Sequence, residues 1–354
     1  YQVMRLDANS RISLSNNDSG TSNTIFGSSA GGSIASGGSY NVLIGEQSGA
    51  SIDTNYGNIM VGWYAGNTAD AASTNAIDNV YIGKATGRYM DDGQYNVAVG
   101  AGAMLGASTG NNATYNTAIG RSALTAITTG DSNVAVGSGA GAAITTDTRV
   151  VAIGANAYDA MDTSAGHDTT PANGSGNTAI GYNSMTGFTD ANCLKNTAIG
   201  FDTMSQGTSH NPQDNVAVGF QSMRGINDGD SNTAVGSGAL KLVAGGSNNV
   251  AIGTLALSTA DAGESNNVAI GESAMISVNS ASTSEKNIAI GRLALTGGSG
   301  VVVGNIAIGH LALVTTGSYA HEGTIAIGTQ ALTALTSGIE NTVVGYNAGL
   351  AATT

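Results

Sequence analysis

A short alternating pattern of apolar and polar positions recurs from one end of this 354-residue chain to the other. Each copy has five residues: Asn in most copies, then a β-branched residue, a small or apolar residue, Ile or Val in every copy except the first, which has Phe26, and Gly. Because successive side chains of a strand point to opposite faces, each copy predicts a strand of four or five residues with two β-branched side chains on one face. The Gly predicts a backbone turn that a Cβ would hinder.

Eighteen copies of this signature follow one another, mostly 17 to 20 residues apart. Their glycines are Gly27, Gly45, Gly62, Gly83, Gly100, Gly120, Gly137, Gly154, Gly181, Gly200, Gly219, Gly236, Gly253, Gly271, Gly291, Gly309, Gly328 and Gly345. A unit of this length cannot bury its own apolar face, whereas stacked units can. The sequence therefore predicts an all-β fold, a parallel β-roll or β-solenoid of about 18 coils of 17–20 residues. With about 4.8 Å between coils, the stack would be a rod about 85 Å long.

The first signature position is Asn in sixteen of the eighteen copies, and Val150 and Thr324 are the exceptions. Two interpretations fit this column equally well: stacked amides that hydrogen-bond along the solenoid, or a residue that favours the turn before each strand. In both, Asn is structural. The predicted structural positions include Asn116, Ile119, Gly120, Asn177, Ile180, Gly181, Asn249, Ile252 and Gly253.

The middle signature position is Ala in the thirteen central copies, from Ala98 to Ala326. Larger residues replace it near the ends of the array, namely Ile25, Leu43, Met60, Tyr81 and Val343. We interpret this small, apolar column as a face on which the backbone of another subunit packs closely. It predicts an oligomer whose subunits are tightly packed in the centre and more widely spaced near the N-terminus.

The chain divides into an N-terminal strand or connector over residues 1–22 and the repeat array over residues 23–354, with an insertion in the coil at 155–176. The formal net charge is −13, and the eleven basic residues are scattered, which argues against nucleic-acid binding. Gly and Asn interrupt every apolar stretch, so no membrane insertion is expected. The four histidines and the single cysteine have no metal-ligand spacing, and no metal or cofactor is predicted.

Loops that interrupt a rigid repeat are the places where binding residues are expected. The longest interruption spans residues 158–176, and others span 206–214 and 67–78. The candidate receptor-binding residues are Asp159, Asp162, His167, Asp168, His210, Trp63 and Tyr64. A structural interpretation remains open for all of them, because solenoids tolerate insertions and the two aromatic residues could fill the wider end of the rod.

The signature resembles the head repeat of trimeric autotransporter adhesins. Asn-Thr-Ala-Ile-Gly at 116–120, 177–181 and 196–200, Asn-Val-Ala-Val-Gly at 96–100 and 215–219, and Asn-Val-Ala-Ile-Gly at 249–253 carry the resemblance. The longer coils are more similar to fibre proteins of marine phages, especially those that infect cyanobacteria. Residues 5–12 resemble the strand that precedes such arrays. The resemblance implies a left-handed β-roll, a homotrimer around one axis, and a role in attachment.

We therefore expect a non-enzymatic structural and attachment fibre on a virion, a phage tail fibre that mediates adhesion to the host. Its expected partners are two further copies of itself, other virion or fibre proteins at both ends, and a host cell-surface polysaccharide or protein. A bacterial surface adhesin or appendage of the trimeric autotransporter head type is the alternative. A polysaccharide-degrading tailspike is a third hypothesis, because the carboxylate pair of a glycosidase is formed in space and leaves no fixed spacing in the sequence.

Overall fold

A computed structural model of the chain describes residues 20–67, 75–106, 111–159, 175–188, 193–205, 211–242, 245–259, 263–277, 284–297, 300–314 and 321–353. All regular secondary structure in these ranges is β-strand. The described residues accordingly contain no helix long and apolar enough to cross a membrane. The chain divides into two compact units, residues 1–146 and residues 147–354.

Unit 1 contains seven short strands, each formed by the middle three residues of a signature. They are β1 (Thr24–Phe26), β2 (Val42–Ile44), β3 (Ile59–Val61), β4 (Val80–Ile82), β5 (Val97–Val99), β6 (Thr117–Ile119) and β7 (Val134–Val136). Each strand pairs with the next in parallel, and the signatures are in register, so that Ala98 pairs with Ala118. One chain segment of 17 to 21 residues therefore forms one coil of a solenoid.

Unit 2 continues the same pattern. Its signature strands are β8 (Val151–Ile153), β9 (Thr178–Ile180), β10 (Thr197–Ile199), β11 (Val216–Val218), β12 (Thr233–Val235), β13 (Val250–Ile252), β14 (Val268–Ile270), β15 (Ile288–Ile290), β17 (Ile306–Ile308), β19 (Ile325–Ile327) and β20 (Thr342–Val344). These strands pair in parallel and in register. Two shorter strands, β16 (Val302–Val303) and β18 (His321–Glu322), pair with each other beside them. The predicted all-β parallel solenoid is confirmed.

The middle residue of each central strand points into the interior of its own coil. Ala118 is fully buried, whereas Ile119 beside it is 41% exposed. The same alternation holds for the other central alanines, all of which have no exposed surface within a single chain. The prediction that the Ala column packs against another subunit is therefore wrong. The alternation of a strand shows which residues share a face, but it leaves open which face turns inward.

A second inward column lies three and four residues after each signature Gly. In the coil of Gly120 these residues are Ala123 and Leu124, and both are fully buried. The residue four places after the signature Gly has a left-handed backbone in every coil, with φ of 49° at Leu124. Ala, Asn, Leu and Met thus fill a narrow core, and the β-branched strand residues stay outside it.

The large residues near the N-terminus also lie in this core. Leu43, Met60 and Tyr81 are at most 1% exposed. In each of their coils the residue four places after the signature Gly is another Gly in place of Leu or Met, as Gly87 is in the coil of Tyr81. The larger strand residue therefore takes the space that Leu or Met fills in other coils. Because these side chains lie in the core of their own chain, they do not support the prediction that subunits are more widely spaced near the N-terminus.

Candidate functional site

The asparagine column forms a hydrogen-bonded ladder in each unit, which is unbroken from Asn23 to Asn133 in unit 1 and from Asn177 to Thr324 in unit 2. The backbone N–H of Asn116 donates to Oδ1 of Asn96 at 2.9 Å, and Oδ1 of Asn116 accepts from the N–H of Asn133 at 2.9 Å. The Nδ2 of Asn116 crosses the coil and donates to the carbonyl oxygen of Gly130 at 2.9 Å. Asn249 repeats this arrangement with its own neighbours in unit 2. Of the two interpretations of the column, the structure selects the ladder.

The ladder adapts where the signature lacks Asn at Val150. In most coils Nδ2 also donates to the Oδ1 of the preceding Asn, but Asn177 follows Val150, which has no side-chain acceptor. The hydroxyl of Tyr158 takes that place and accepts from Nδ2 of Asn177 at 2.9 Å. The same Nδ2 donates across the coil to the carbonyl of Cys193 at 2.6 Å. Tyr158 is thus a fully buried structural residue, and burial, together with the nearby Asp147, raises the pKa of its hydroxyl.

The signature glycines allow neighbouring coils to approach closely. Gly120, Gly181 and Gly253 have φ of 136°, 132° and 134°, a region that L side chains rarely adopt. A Cβ on Gly253 would lie 2.5 Å from the carbonyl oxygen of Gly271 in the next coil, which is a severe overlap. These positions require Gly for two independent reasons, backbone conformation and the spacing of the coils.

The first and third strand residues form the outer face of each unit. Ile119, Ile252 and Val216 are 41%, 38% and 38% exposed within that face, and Ile180 is half-buried. Every outward position of the eighteen signature strands carries Val, Ile, Thr or Phe, and none carries a charge. The result in each unit is an uncharged, regularly spaced apolar surface made by a rigid sheet.

The residue after each signature Gly starts another outward column, and its character changes along the chain. Tyr182, Phe201 and Phe220 stack with ring centroids 5.3 and 5.6 Å apart. Further on, Nε of Arg292 lies 3.3 Å from Oε2 of Glu272 in an exposed ion pair. The residues of this column differ in size, polarity and charge from coil to coil.

Trp63 and Tyr64, two of the predicted site residues, lie on this surface in unit 1. Their rings meet edge to face, with centroids 4.8 Å apart. Nζ of Lys84 lies over the indole ring of Trp63 at 4.7 Å, and the guanidinium carbon of Arg88 lies over the ring of Tyr64 at 4.5 Å. Arg88 also lies 4.9 Å from the ring centroid of Tyr89. We call Trp63, Tyr64, Lys84, Arg88 and Tyr89 the Trp63 cluster.

The other predicted site residues are not gathered into a site. Asp159 is described, and partial burial raises the pKa of its carboxyl group. Asp162, His167, Asp168 and His210 lie outside the described residues. Among the residues that the structure describes, no group of three or more His, Cys, Asp or Glu side chains is arranged to hold a metal ion.

Sequence reasoning missed the two cations of the Trp63 cluster. Lys84 is 21 residues from Trp63, but both directly follow a signature Gly, so the register of the coils places one on the other. The hydrogen bond from the N–H of Ala85 to the carbonyl of Trp63, 2.8 Å long, fixes this alignment. Aligning the repeats position by position beyond the five-residue signature would have shown that Trp63 and Lys84 occupy the same position in successive coils.

Comparison with known proteins assigns the chain to no family. The sequence matches no protein-family model and no curated protein. The case for a function therefore depends on the fold, the outer surface and the repeat itself.

Proposed function

We propose that the chain is a structural and attachment fibre on a virion, a phage tail fibre that assembles as a homotrimer and adheres to the host surface. The observation that carries the proposal is the outer strand face, which is apolar, uncharged and exposed within a single chain. The resemblance of the signature to adhesin heads and phage fibres supports the same assembly. The left-handed sense of the solenoid is part of the proposal.

The occupant proposed for the outer face is a second and a third copy of this chain. Exposed apolar patches of more than a few hundred Å² are rare on monomers and mark interaction surfaces. Here Ile, Val and Thr repeat with the spacing of the coils, so parallel copies would meet like residue against like residue over many coils. Because β-branched side chains have few rotamers, little side-chain entropy is lost on burying them.

Light scattering of the purified chain tests the assembly. We expect a mass three times that of the 34.8 kDa chain. Replacing Ile199 and Ile252, which are 37% and 38% exposed, with Glu should give monomers that keep their β circular dichroism. Ser237→Glu, at an exposed position outside the strand, is the matched control and should remain trimeric. A wild-type monomer would refute the homotrimer.

Immunogold electron microscopy tests the biological assignment. Antibodies raised against the chain should label isolated phage particles at the tail. Labelling of a bacterial envelope in the absence of particles would support the surface-adhesin alternative instead. Incubation with host surface polysaccharide should release no oligosaccharide, and release would favour the tailspike hypothesis.

A further inference from the structure

We propose that the Trp63 cluster binds an acidic saccharide, with Arg88 and Lys84 recognising its anionic group and Trp63 packing against the sugar ring. The inference rests on the proposed attachment function, for which it names a ligand class and a location. The ligand class follows from three features of the cluster, namely its two cations, their fixed orientation and its exposed aromatic surface.

The first element is a pair of cations without anionic partners. Within the part of the chain that the structure describes, neither Lys84 nor Arg88 forms an ion pair. Nε of Arg88 is buried and has no hydrogen-bond partner there. Lys84 and Arg88 follow the same signature Gly, Gly83, and lie four residues apart in one coil, so both cations stand beside the same aromatic rings. Lys84 is exposed and Arg88 is half-buried, so an anionic ligand would supply an acceptor for Nζ of Lys84 and for the terminal nitrogens of Arg88, while the buried Nε of Arg88 stays out of its reach.

The second element is the fixed orientation of those cations. The guanidinium group of Arg88 lies 4.5 Å and 4.9 Å from the ring centroids of Tyr64 and Tyr89, and both rings are half-buried. Cation–π contacts of this kind are attractive and hold a side chain that would otherwise be mobile. A planar guanidinium held in place can donate two parallel hydrogen bonds to one carboxylate or phosphate. Little further entropy would then be lost on binding.

The third element is an exposed aromatic surface beside the cations. Trp63 is 45% exposed, and Lys84 covers its ring from the neighbouring coil. The C–H groups of a sugar ring pack on such a surface while its hydroxyl groups remain in water. The stacked rings of Tyr182, Phe201 and Phe220 are exposed, and among the residues that the structure describes no cation lies over them, so they offer an apolar surface without the charge.

Glu46 sets a limit on the ligand. It is exposed and occupies the same column in the preceding coil, where its carbonyl accepts from the N–H of Tyr64 at 3.1 Å. Its carboxylate repels a second anionic group on that side. The cluster therefore suits a polymer whose negative charges are well separated, and is less suited to a densely sulfated chain.

Trp63 is the only tryptophan of the chain, so its fluorescence reports directly on the cluster. We would titrate the full-length chain with polygalacturonate and, in parallel, with neutral dextran of similar size. Saturable quenching or a wavelength shift with polygalacturonate alone, weakened by added salt, is expected. No response to polygalacturonate, or an equal response to dextran, would overturn the proposal.

Variants of Lys84 and Arg88 test whether these two cations are responsible for the fluorescence response. Lys84→Glu, at an exposed position that leaves the core intact, and Arg88→Lys, which keeps the charge but removes the planar fork, should each weaken binding about tenfold, which corresponds to about 1.4 kcal/mol. Arg292→Ala removes an exposed arginine from another part of the same outward column and should bind like wild type. Equal weakening by Arg292→Ala would show non-specific attraction and overturn the assignment. Trimer mass and particle labelling are measured separately, so failure here leaves the proposed fibre unaffected.

Discussion

The ring of Tyr81 occupies the space that a side chain at position 87 would need: a Cβ built on Gly87 would lie 2.6 Å from Cε2 of Tyr81. Most central coils use the opposite combination, with a small residue in the strand and a large one four places after the Gly, as in Ala118 and Leu124. Both solutions fill the same narrow core. A change of side-chain size at position 81 should therefore be tolerated only together with the opposite change at position 87.

The first prediction is a compensating pair of substitutions. Tyr81→Ala alone should leave a cavity and cost about 3–5 kcal/mol, and Gly87→Leu alone should overlap the Tyr81 ring. The double variant reproduces the arrangement of Ala118 and Leu124, and Leu124 has the left-handed backbone that this position requires. Guanidinium unfolding of the four proteins should show a favourable coupling of about 2 kcal/mol or more. Additive effects would contradict the compensation.

The fold was largely predictable because its signals are local and repeated. The β-branched pair and the Gly of residues 116–120 fix a strand and a turn, and eighteen repetitions fix the solenoid. Alternation alone did not predict which face of each strand points into the coil and which points to solvent. Ile119 is the more hydrophobic side chain, yet Ala118 is buried, because Ala118 shares its strand face with Asn116, whose amide finds its hydrogen-bond partner inside the coil.

The candidate site was only half predictable. Trp63 and Tyr64 stood out as rare aromatic residues, whereas Lys84 and Arg88 looked like scattered surface charges. Their relation to the rings depends on how coils of unequal length are aligned, which the signature fixes at the Gly and the residues after it. Beyond the turn, coil lengths differ, and the sequence alone cannot align the loops that hold His167 and His210.

The second prediction concerns the hydroxyl of Tyr158. Tyr158→Phe should cost about 1–3 kcal/mol, because the buried Nδ2 of Asn177 loses an acceptor. Adding Val150→Asn in that background should recover part of the loss, since it supplies the amide oxygen that sixteen other coils have. Thermal unfolding monitored by circular dichroism measures both changes. A Tyr158→Phe variant as stable as wild type would show that the hydroxyl has no part in the ladder.

The third prediction concerns the signature glycines. Gly120→Ala should destabilise the chain by more than the roughly 1–3 kcal/mol of backbone strain, because the new Cβ would also overlap the carbonyl of Gly137. Gly245→Ala is the control: a Cβ there has no neighbour within 4 Å. Its stability should equal or slightly exceed that of wild type. Similar guanidinium midpoints for the two variants would refute the explanation.

The fourth prediction is that Cys193 is inert in the folded chain. The thiol is fully buried, and burial, with a further contribution from Asp147, raises its pKa, so little thiolate is present at neutral pH. Native protein should react with Ellman's reagent only as fast as it unfolds, and completely in concentrated guanidinium chloride. Ser237→Cys adds an exposed thiol as a positive control and should react at once. Prompt reaction of the wild-type chain would contradict the burial.

The last prediction is a loss of stability in mild acid that originates at His321. The residue is 1% exposed and pairs with Val302 in the parallel register of β16 and β18. Burial lowers the pKa of its imidazole from the ordinary 6.5, against a smaller opposing effect of the Gly338 backbone. As pH falls below about 6.5, the unfolded chain therefore binds a proton at this residue that the folded chain does not. By linkage the free energy of unfolding is unaffected above that pH and decreases below it, by up to about 1.4 kcal/mol per pH unit for one group.

Replacing His321 with Val, the residue type of its strand partner Val302, separates the effect of the buried imidazole from general acid denaturation. His321→Val should flatten the dependence of the guanidinium midpoint on pH just below 6.5, while carboxyl groups still destabilise both proteins at lower pH. His310→Gln alters an exposed histidine and is the matched control, expected to follow the wild-type curve. Parallel curves for wild type and His321→Val would show that the buried imidazole does not control acid stability. A steeper loss for the Val variant would instead mean that the folded chain gains from a protonated His321, the reverse of the sign that burial requires.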